Sequence, residues 1–164
     1  MTEHKKSQSS IWSADRKITA RAFELRAAQE LQSLLREEIS ILPATLSDQI
    51  KPFQIGVRAL FDDLAKVGTT PIELKLALQR YTGATGYQMA LGLDGSHRYR
   101  LNGSVDGPVS DDNREHARKI ALSRFEKMRR KKANPEPDVR SFSPLPEPAR
   151  QARAILTINR RSGT

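Results

Sequence analysis

The chain has 164 residues, 37% of them hydrophobic, with a formal net charge of +9 at pH 7 and an isoelectric point near 10.2. It has no cysteine, which excludes disulfides and thiolate chemistry, and its three scattered histidines do not form a zinc-binding pattern. No apolar run reaches the roughly 20 residues of a membrane span, and the N-terminus lacks the apolar core of a signal peptide. We therefore expect a cytoplasmic domain with appendages and a polyanionic partner, nucleic acid before an acidic membrane surface.

The N-terminal third reads as one long helix. Residues 14–41 contain no glycine or proline and are rich in strong helix formers. Apolar residues recur there at steps of three and four, which predicts one apolar stripe formed by Ile18, Ala22, Leu25, Ala28, Leu31 and Leu35. Because acidic and basic residues are balanced here, packing or self-association is the favoured role for this helix.

Two shorter helices follow in the prediction. Val57, Leu60, Phe61, Leu64 and Val67 share one helical face, and Gly68 suits the end of that helix. Thr70 and Glu73 then form a capping box around Pro71, which starts a helix that we expect to run through Tyr81.

A small sheet is predicted next. The stretch "GYQMAL" reads as a strand, and "HRYRL" reads as a second strand leading into an Asn102-Gly103 hairpin turn. Strand alternation puts His97, Tyr99 and Leu101 on a core face and Arg98 and Arg100 on the opposite face. Two strand residues span about 6.6 Å, close to the spacing of successive phosphates, so the arginines either grip a nucleic-acid backbone or only keep the sheet soluble.

The C-terminal part is helical and then proline-rich. Ser110 caps a last helix, whose "REHARK" stretch contributes Arg114, Arg118 and Lys119. Its end, "RFEKMRRKKA", is either a solvated helix end or an arm that binds nucleic acid without reading sequence. Residues 126–164 hold ten basic and four acidic residues, and five prolines fall between positions 135 and 148, so residues 133–164 are predicted to form a disordered basic tail.

Three stretches, taken in order, resemble the FinO/ProQ family of bacterial RNA chaperones. They are "PFQIGV", "ELKLALQRYTGATGYQMALGLDGSHRYRLNG" and "DDNREHARKIAL", and they cover about residues 50 to 125. The resemblance implies a small domain that binds a terminator-like stem-loop with a single-stranded 3′ tail, stabilises it and promotes its pairing with complementary RNA. The N-terminal helix and short tail resemble the plasmid-encoded FinO-type members.

The resemblance also implies functional residues. Lys75, Tyr87, Arg98, Arg118 and Lys119 match positions of the family's RNA-binding face, with Tyr87 and Arg98 at its 3′-end pocket. A tyrosine beside an arginine can stack on a base while the arginine holds a phosphate. Positive charge adds further candidates for RNA binding, namely Arg80, Arg100 and Arg114. Gln54, Gly86 and Arg100 depart from residues that the family often has at these positions.

The combined expectation is an α+β protein. It has a helical arm over residues 1–49, a mainly helical FinO/ProQ-like RNA-binding domain with a short β-hairpin or small antiparallel sheet over 50–132, and the tail over 133–164. We expect a monomer that binds structured RNA and needs no cofactor, metal, membrane or small-molecule substrate. One alternative is a helix-turn-helix DNA-binding regulator built on residues 60–80. An enzyme is disfavoured because no nucleophile, base and orienting group cluster in the sequence. A protein-interaction adaptor that uses the N-terminal helix is a weaker alternative.

Overall fold

A computed structural model of the protein describes residues 11–133, and the predicted C-terminal tail lies almost wholly outside them. Within that range the chain forms five helices and one two-stranded antiparallel sheet. The helices are α1 (Ala22–Ser33), α2 (Val57–Leu64), α3 (Pro71–Thr82), α4 (Thr85–Gly92) and α5 (Asp111–Ala133), and the strands are β1 (His97–Tyr99) and β2 (Val105–Pro108). The predicted mainly helical α+β fold with a small hairpin is confirmed. None of the described helices is long and apolar enough to span a membrane.

The single helix predicted over residues 14–41 is wrong at both ends. Only α1 is helical, because the flanking backbone hydrogen-bonds to distant segments. Before α1, Ile50 donates its N–H to the carbonyl of Ile18 at 2.8 Å. After α1, Arg36 donates its N–H to the carbonyl of Leu64 at 2.8 Å. Helix propensity is a weak preference, and these tertiary contacts override it.

The two central helices are close to the prediction. The capping box is present: Thr70 Oγ1 accepts from the N–H of Glu73 at 3.2 Å, and Glu73 Oε2 accepts from the N–H of Thr70 at 2.9 Å. α2 ends at Leu64, earlier than predicted, and Val67 is fully exposed instead of facing the core. The shortening follows from the backbone of residues 65–66, which pairs with residues 34–36.

The predicted strand "GYQMAL" is instead the helix α4. Its second residue, Gly86, donates its N–H to the buried carboxylate of Glu24 at 2.9 Å, which satisfies a free donor at the helix start. Most α4 side chains are buried, so the sequence shows no polar face. A short apolar run of this kind does not distinguish a buried strand from a buried helix.

The predicted hairpin is confirmed around Asn102-Gly103, with a positive φ of 86° at Gly103. The predicted division of β1 into two faces holds only in part, because the strand is short and its register shifts between Arg98 and Tyr99. His97 is exposed, whereas Arg98 is half-buried. β1 is also attached to the segment before α2, since Gln54 donates its N–H to the carbonyl of Tyr99 at 2.9 Å.

The core lies between α1, α3, α4 and α5. α5 packs closely on α4 through its small residues Ala117 and Ala121, and a Cβ on Gly92 would come within 2.8 Å of the Trp12 ring. Trp12, Ile18 and Leu31 are buried in the same cluster as residues of the later helices. The core therefore includes residues from both sides of the domain boundary predicted near residue 50.

Candidate nucleic-acid interface

A cleft of about 380 Å³ opens between α3, α4, the start of α2 and β1. Its volume falls in the range of sites that bind small ligands, about 300 to 1,000 Å³. Three of the predicted RNA-binding residues, Lys75, Tyr87 and Arg98, line it together although they are far apart in sequence. The full lining is Phe53, Gln54, Val57, Arg58, Lys75, Leu78, Gln79, Thr82, Tyr87, Gln88, Leu91 and Arg98.

The backbone of Phe53 fixes two of these side chains relative to each other. The N–H of Phe53 donates to the Tyr87 hydroxyl at 2.7 Å, and Arg98 NH1 donates to the carbonyl of Phe53 at 3.0 Å. The Tyr87 hydroxyl accepts in this contact and keeps its own proton to donate. Tyr87 on α4 and Arg98 on β1 are thus both held by the backbone of Phe53, and each retains donors that these two bonds do not use.

The Tyr87 ring is not available for base stacking, so that part of the prediction is wrong. Tyr87 is only 3% exposed, and its ring packs against Phe53 and Tyr81 at centroid distances of 5.8 and 5.5 Å. Burial raises the pKa of Tyr87 to about 12, against the opposing effects of the Phe53 N–H and the Arg98 charge. The hydroxyl therefore stays protonated at neutral pH and is the polar group of Tyr87, a residue that lines the cleft.

The cleft is cationic. Lys75 and Arg98 form no ion pair with any described residue, and no aspartate or glutamate lines the cleft. Arg58 adds a third cation, which has a long 3.7 Å contact to Asp62 on its own helix. A concave site with cations and no carboxylate favours an anionic ligand such as a nucleic-acid phosphate.

Two other predicted residues lie away from the cleft and are paired within the protein. Arg80, on α3, forms an ion pair with Glu30 of α1. Arg100 donates from Nε to Asp106 of β2 at 3.1 Å. Arg98 and Arg100 thus have different partners and do not act as a matched pair.

The three basic residues of α5 that were predicted to bind RNA are also engaged within the protein. Arg114 donates to Asp111 at 2.8 Å and to the carbonyl of Val109 at 2.9 Å. Arg118 donates to Asp94 at 2.5 Å and to the carbonyl of Gly92 at 2.6 Å, and it lies over the Trp12 ring. Lys119 pairs with Glu115 at 2.8 Å. The cleft does not include any of these three side chains.

Sequence reasoning missed some of the cleft. Arg58 lies beside the apolar face of α2, and its position in the sequence looks like that of an ordinary surface cation. Gln54 was noted only as a departure from the family pattern, and Gln88 was placed in a strand. Gln88 Nε2 donates to the carbonyl of Thr82 at 2.8 Å, which leaves its oxygen free to accept. No local pattern signals these residues, because the cleft exists only when α2, α3, α4 and β1 meet.

Comparison with known proteins decides the family. A model of the ProQ/FINO family matches residues 28–134, which is more than half of the chain. The chain belongs to the ProQ/FinO family. The match confirms the family predicted from the sequence and runs from the middle of α1 to the end of α5, including the whole cleft.

ProQ/FinO proteins are RNA-binding chaperones without enzymatic activity. Among solved structures, the chain is similar to a ProQ homolog from Legionella pneumophila described by NMR, with 15% sequence identity and a TM-score of 0.40. That similarity covers 69% of this chain and 93% of the other. No curated protein matches the chain. Within residues 11–133, no cluster of three His, Asp or Glu side chains is suited to hold a metal ion.

Proposed function

We propose that this protein binds stem-loop RNAs that end in a single-stranded 3′ tail, and that the cleft holds the 3′ end. The RNAs are small or antisense RNAs and mRNA 3′ ends, which the protein stabilises and helps to pair with complementary RNA. It acts as a monomer in the cytoplasm. Membership of the ProQ/FinO family supports the general role, and the cleft supports the specific one.

The observation that carries the proposal is the meeting of Lys75, Tyr87 and Arg98 around one cavity that no carboxylate of the described residues lines. Arg98 and Lys75 would bind phosphate oxygens through charge-assisted hydrogen bonds. The protonated Tyr87 hydroxyl would donate to a ribose oxygen at the chain end. Polar groups aimed at ribose and phosphate suit RNA, which proteins recognise largely through backbone and 2′-hydroxyl contacts.

The helix-turn-helix alternative has less support. Its recognition helix would be α3, but α3 buries Leu74, Ala77 and Leu78. Of its two cations, Lys75 lines the cleft and Arg80 pairs with Glu30. Little side-chain chemistry remains on this helix for reading base edges in a DNA groove.

A binding titration with matched oligonucleotides tests the proposal. One stem-loop with a 3′ tail is made as RNA, as DNA, as RNA with a 3′-phosphate, and as RNA with a changed loop sequence. We expect the RNA to bind more tightly than the DNA, the 3′-phosphate to change affinity, and the changed loop to have no effect. Equal binding of all four molecules would contradict recognition of the 3′ end, and tighter binding of the DNA would favour the helix-turn-helix alternative.

A further inference from the structure

A second concave surface, which we call the lateral groove, lies beside the cleft. It has a volume of about 530 Å³ and is bordered by the start of α1, the end of α3, the start of α4 and the middle of α5. The residues that matter for its chemistry are Arg21, Phe23, Gln79, Arg80, Arg124 and Met128. Of these six residues, only Arg80 was predicted from the sequence to bind RNA.

The groove presents two large apolar side chains to solvent. Phe23 is 51% exposed and Met128 is 52% exposed. Phe23 lies in the first turn of α1, whose inner face is buried through Ala27, Ala28 and Leu31, so its ring is not needed to attach that helix to the core. An exposed aromatic ring at a polar surface is suited to stack on an unpaired base.

The groove is also positively charged. Arg21, Arg80 and Arg124 line it together with one carboxylate, that of Glu24. Glu24 is 4% exposed, and its two oxygens accept from the N–H groups of Arg21 and Gly86. It therefore offers little to a ligand, whereas the three guanidinium groups are at the surface of the groove.

The three arginines differ in how far they are engaged within the protein. Arg124 uses NH1 to donate to the carbonyl of Gly83, and Arg80 uses NH1 for its pair with Glu30. Arg21 forms no ion pair with any described residue. Because a guanidinium group has five N–H donors, Arg21 and Arg124 can still bind phosphate oxygens, whereas Arg80 is held by the Glu30 carboxylate.

The groove and the cleft adjoin each other at Gln79, which lines both. A single-stranded RNA segment that leaves the cleft across Gln79 therefore enters the groove. The groove also reaches α5 at Arg124 and Met128, which are one turn apart on the same helical face. The continuous surface joins a cationic pocket to a cationic groove with an exposed ring.

We propose that the lateral groove binds unpaired nucleotides of the same RNA, immediately upstream of the 3′-terminal nucleotide. A base stacks on Phe23 beside Met128, and Arg21 and Arg124 bind the flanking phosphates. This inference rests on the proposed function, since it requires the RNA 3′ end in the cleft. It makes Phe23 a residue through which the protein senses the length of the single-stranded tail.

The test uses two RNAs and four variants of the full-length protein. The RNAs share one stem-loop and differ in the 3′ tail, which is either just long enough for the cleft or several nucleotides longer. Phe23→Leu removes the aromatic ring, Phe23→Trp keeps one, and Arg98→Ala disables the cleft. Leu46→Ala is the matched control, because Leu46 is 58% exposed and lines neither surface.

We expect Phe23→Leu to weaken binding of the long-tailed RNA about tenfold, within the range for one base stacked on an aromatic ring. Binding of the short-tailed RNA should change less than about twofold, because a tail of that length does not reach the ring. Phe23→Trp and Leu46→Ala should bind both RNAs like the wild type. A photocrosslink from 4-thiouridine in the longer tail to Phe23 or Met128, mapped by mass spectrometry, should appear and should be absent with the short tail.

The outcomes separate the two proposals. If Phe23→Leu binds the long-tailed RNA like the wild type, or weakens both RNAs equally, the groove does not hold the tail. If it instead loses a protein partner while binding RNA normally, the groove is a protein interface. If Arg98→Ala binds the short-tailed RNA like the wild type, the cleft proposal fails whatever happens at Phe23.

Discussion

Arg98 and Arg118 carry the same guanidinium group in different surroundings. Among residues 11–133, Arg98 on β1 hydrogen-bonds only to the carbonyl of Phe53 and lines a cleft to which no carboxylate contributes. Arg118, on α5, is held by Asp94, the carbonyl of Gly92 and the Trp12 ring. The same contrast separates Lys75, which has no ion pair among the described residues, from Lys119, which pairs with Glu115.

The contrast shows that a cation's neighbours, and not its charge, decide whether it is available to a ligand. A paired guanidinium must give up its partner before it binds a phosphate, so part of the binding energy is lost. An unpaired cation in a concave site has no such loss. We therefore infer that the cleft supplies RNA affinity, whereas the contacts of Arg118 supply stability.

The largest expected effect on binding comes from Arg98→Ala. We expect it to weaken affinity for the stem-loop RNA by about 1.5 to 3 kcal/mol, the range for hydrogen bonds to charged groups. A titration at one fixed salt concentration measures the change, and circular dichroism checks that the variant remains folded. Arg98→Lys should lose less, since it keeps the charge. A folded Arg98→Ala protein with wild-type affinity would mean that the cleft is not the binding site.

Arg118→Ala should show the reverse behaviour. Loss of the contacts to Asp94 and Gly92 should lower the free energy of unfolding by about 1 to 2 kcal/mol. Affinity for the stem-loop RNA, measured per folded molecule, should change by less than about 1 kcal/mol. Urea unfolding and the same titration give both numbers. A large loss of affinity with unchanged stability would place Arg118 in the RNA site and abolish the contrast.

Tyr87→Phe tests the base of the cleft through stability and pH. Because the N–H of Phe53 loses its acceptor, we expect a loss of about 1 kcal/mol in the free energy of unfolding at neutral pH. The raised pKa of Tyr87 adds a pH dependence. An unfolded tyrosine loses its proton near pH 10, whereas the folded one keeps it to about pH 12, so the wild type loses stability as pH rises through this window.

The free energy of unfolding of Tyr87→Phe should fall less steeply with pH than that of the wild type over the same pH window. Tyr81 titrates in both proteins, and its pKa is raised by burial first and then by Tyr87 and Glu24, so part of the decline remains. Urea unfolding at several pH values compares the slopes. Identical slopes would show that the Tyr87 hydroxyl is not buried as described.

The smallest expected effect belongs to Arg100→Ala. Its contact to Asp106 is exposed, and we expect less than about 1 kcal/mol of change in either RNA affinity or stability. The same titration used for Arg98→Ala provides the comparison. If Arg100→Ala binds the stem-loop RNA more weakly than Arg98→Ala, the residue that contributes most to RNA affinity lies after β1 and outside the cleft.

Sequence patterns predicted the parts of the fold that depend on local chemistry. The capping box at Thr70 and Glu73 and the turn at Asn102-Gly103 are formed by neighbouring residues, and both were found as predicted. The ends of α1 and the helical state of α4 were not predicted correctly. They depend on contacts with Ile50, Leu64 and Glu24, which are distant in sequence from the segments they fix. The predicted domain boundaries and the basic tail stay predictions.

The candidate site was predictable only in part. The family resemblance pointed to Lys75, Tyr87, Arg98, Arg118 and Lys119, and the fold brings only the first three together at the cleft. Charge alone pointed equally to Arg80, Arg100 and Arg114, each of which has an acidic partner in space. Pairing across elements cannot be read from spacing along the chain, so sequence reasoning could not separate available cations from occupied ones. The role of each residue in RNA binding stays a prediction.

The central claim is that cleft cations, and not the paired cations of α5, neutralise RNA phosphates. The most direct test measures the affinity for the stem-loop RNA over a series of salt concentrations, for the wild type, Arg98→Ala and Arg118→Ala. Affinity falls as salt rises, and each phosphate contact adds about 0.7 to 0.9 to the magnitude of the negative slope of log affinity against log salt concentration. We predict that Arg98→Ala lowers this magnitude by about that amount and that Arg118→Ala leaves it unchanged. Equal slopes for the wild type and Arg98→Ala, or a reduced slope only for Arg118→Ala, would contradict the account.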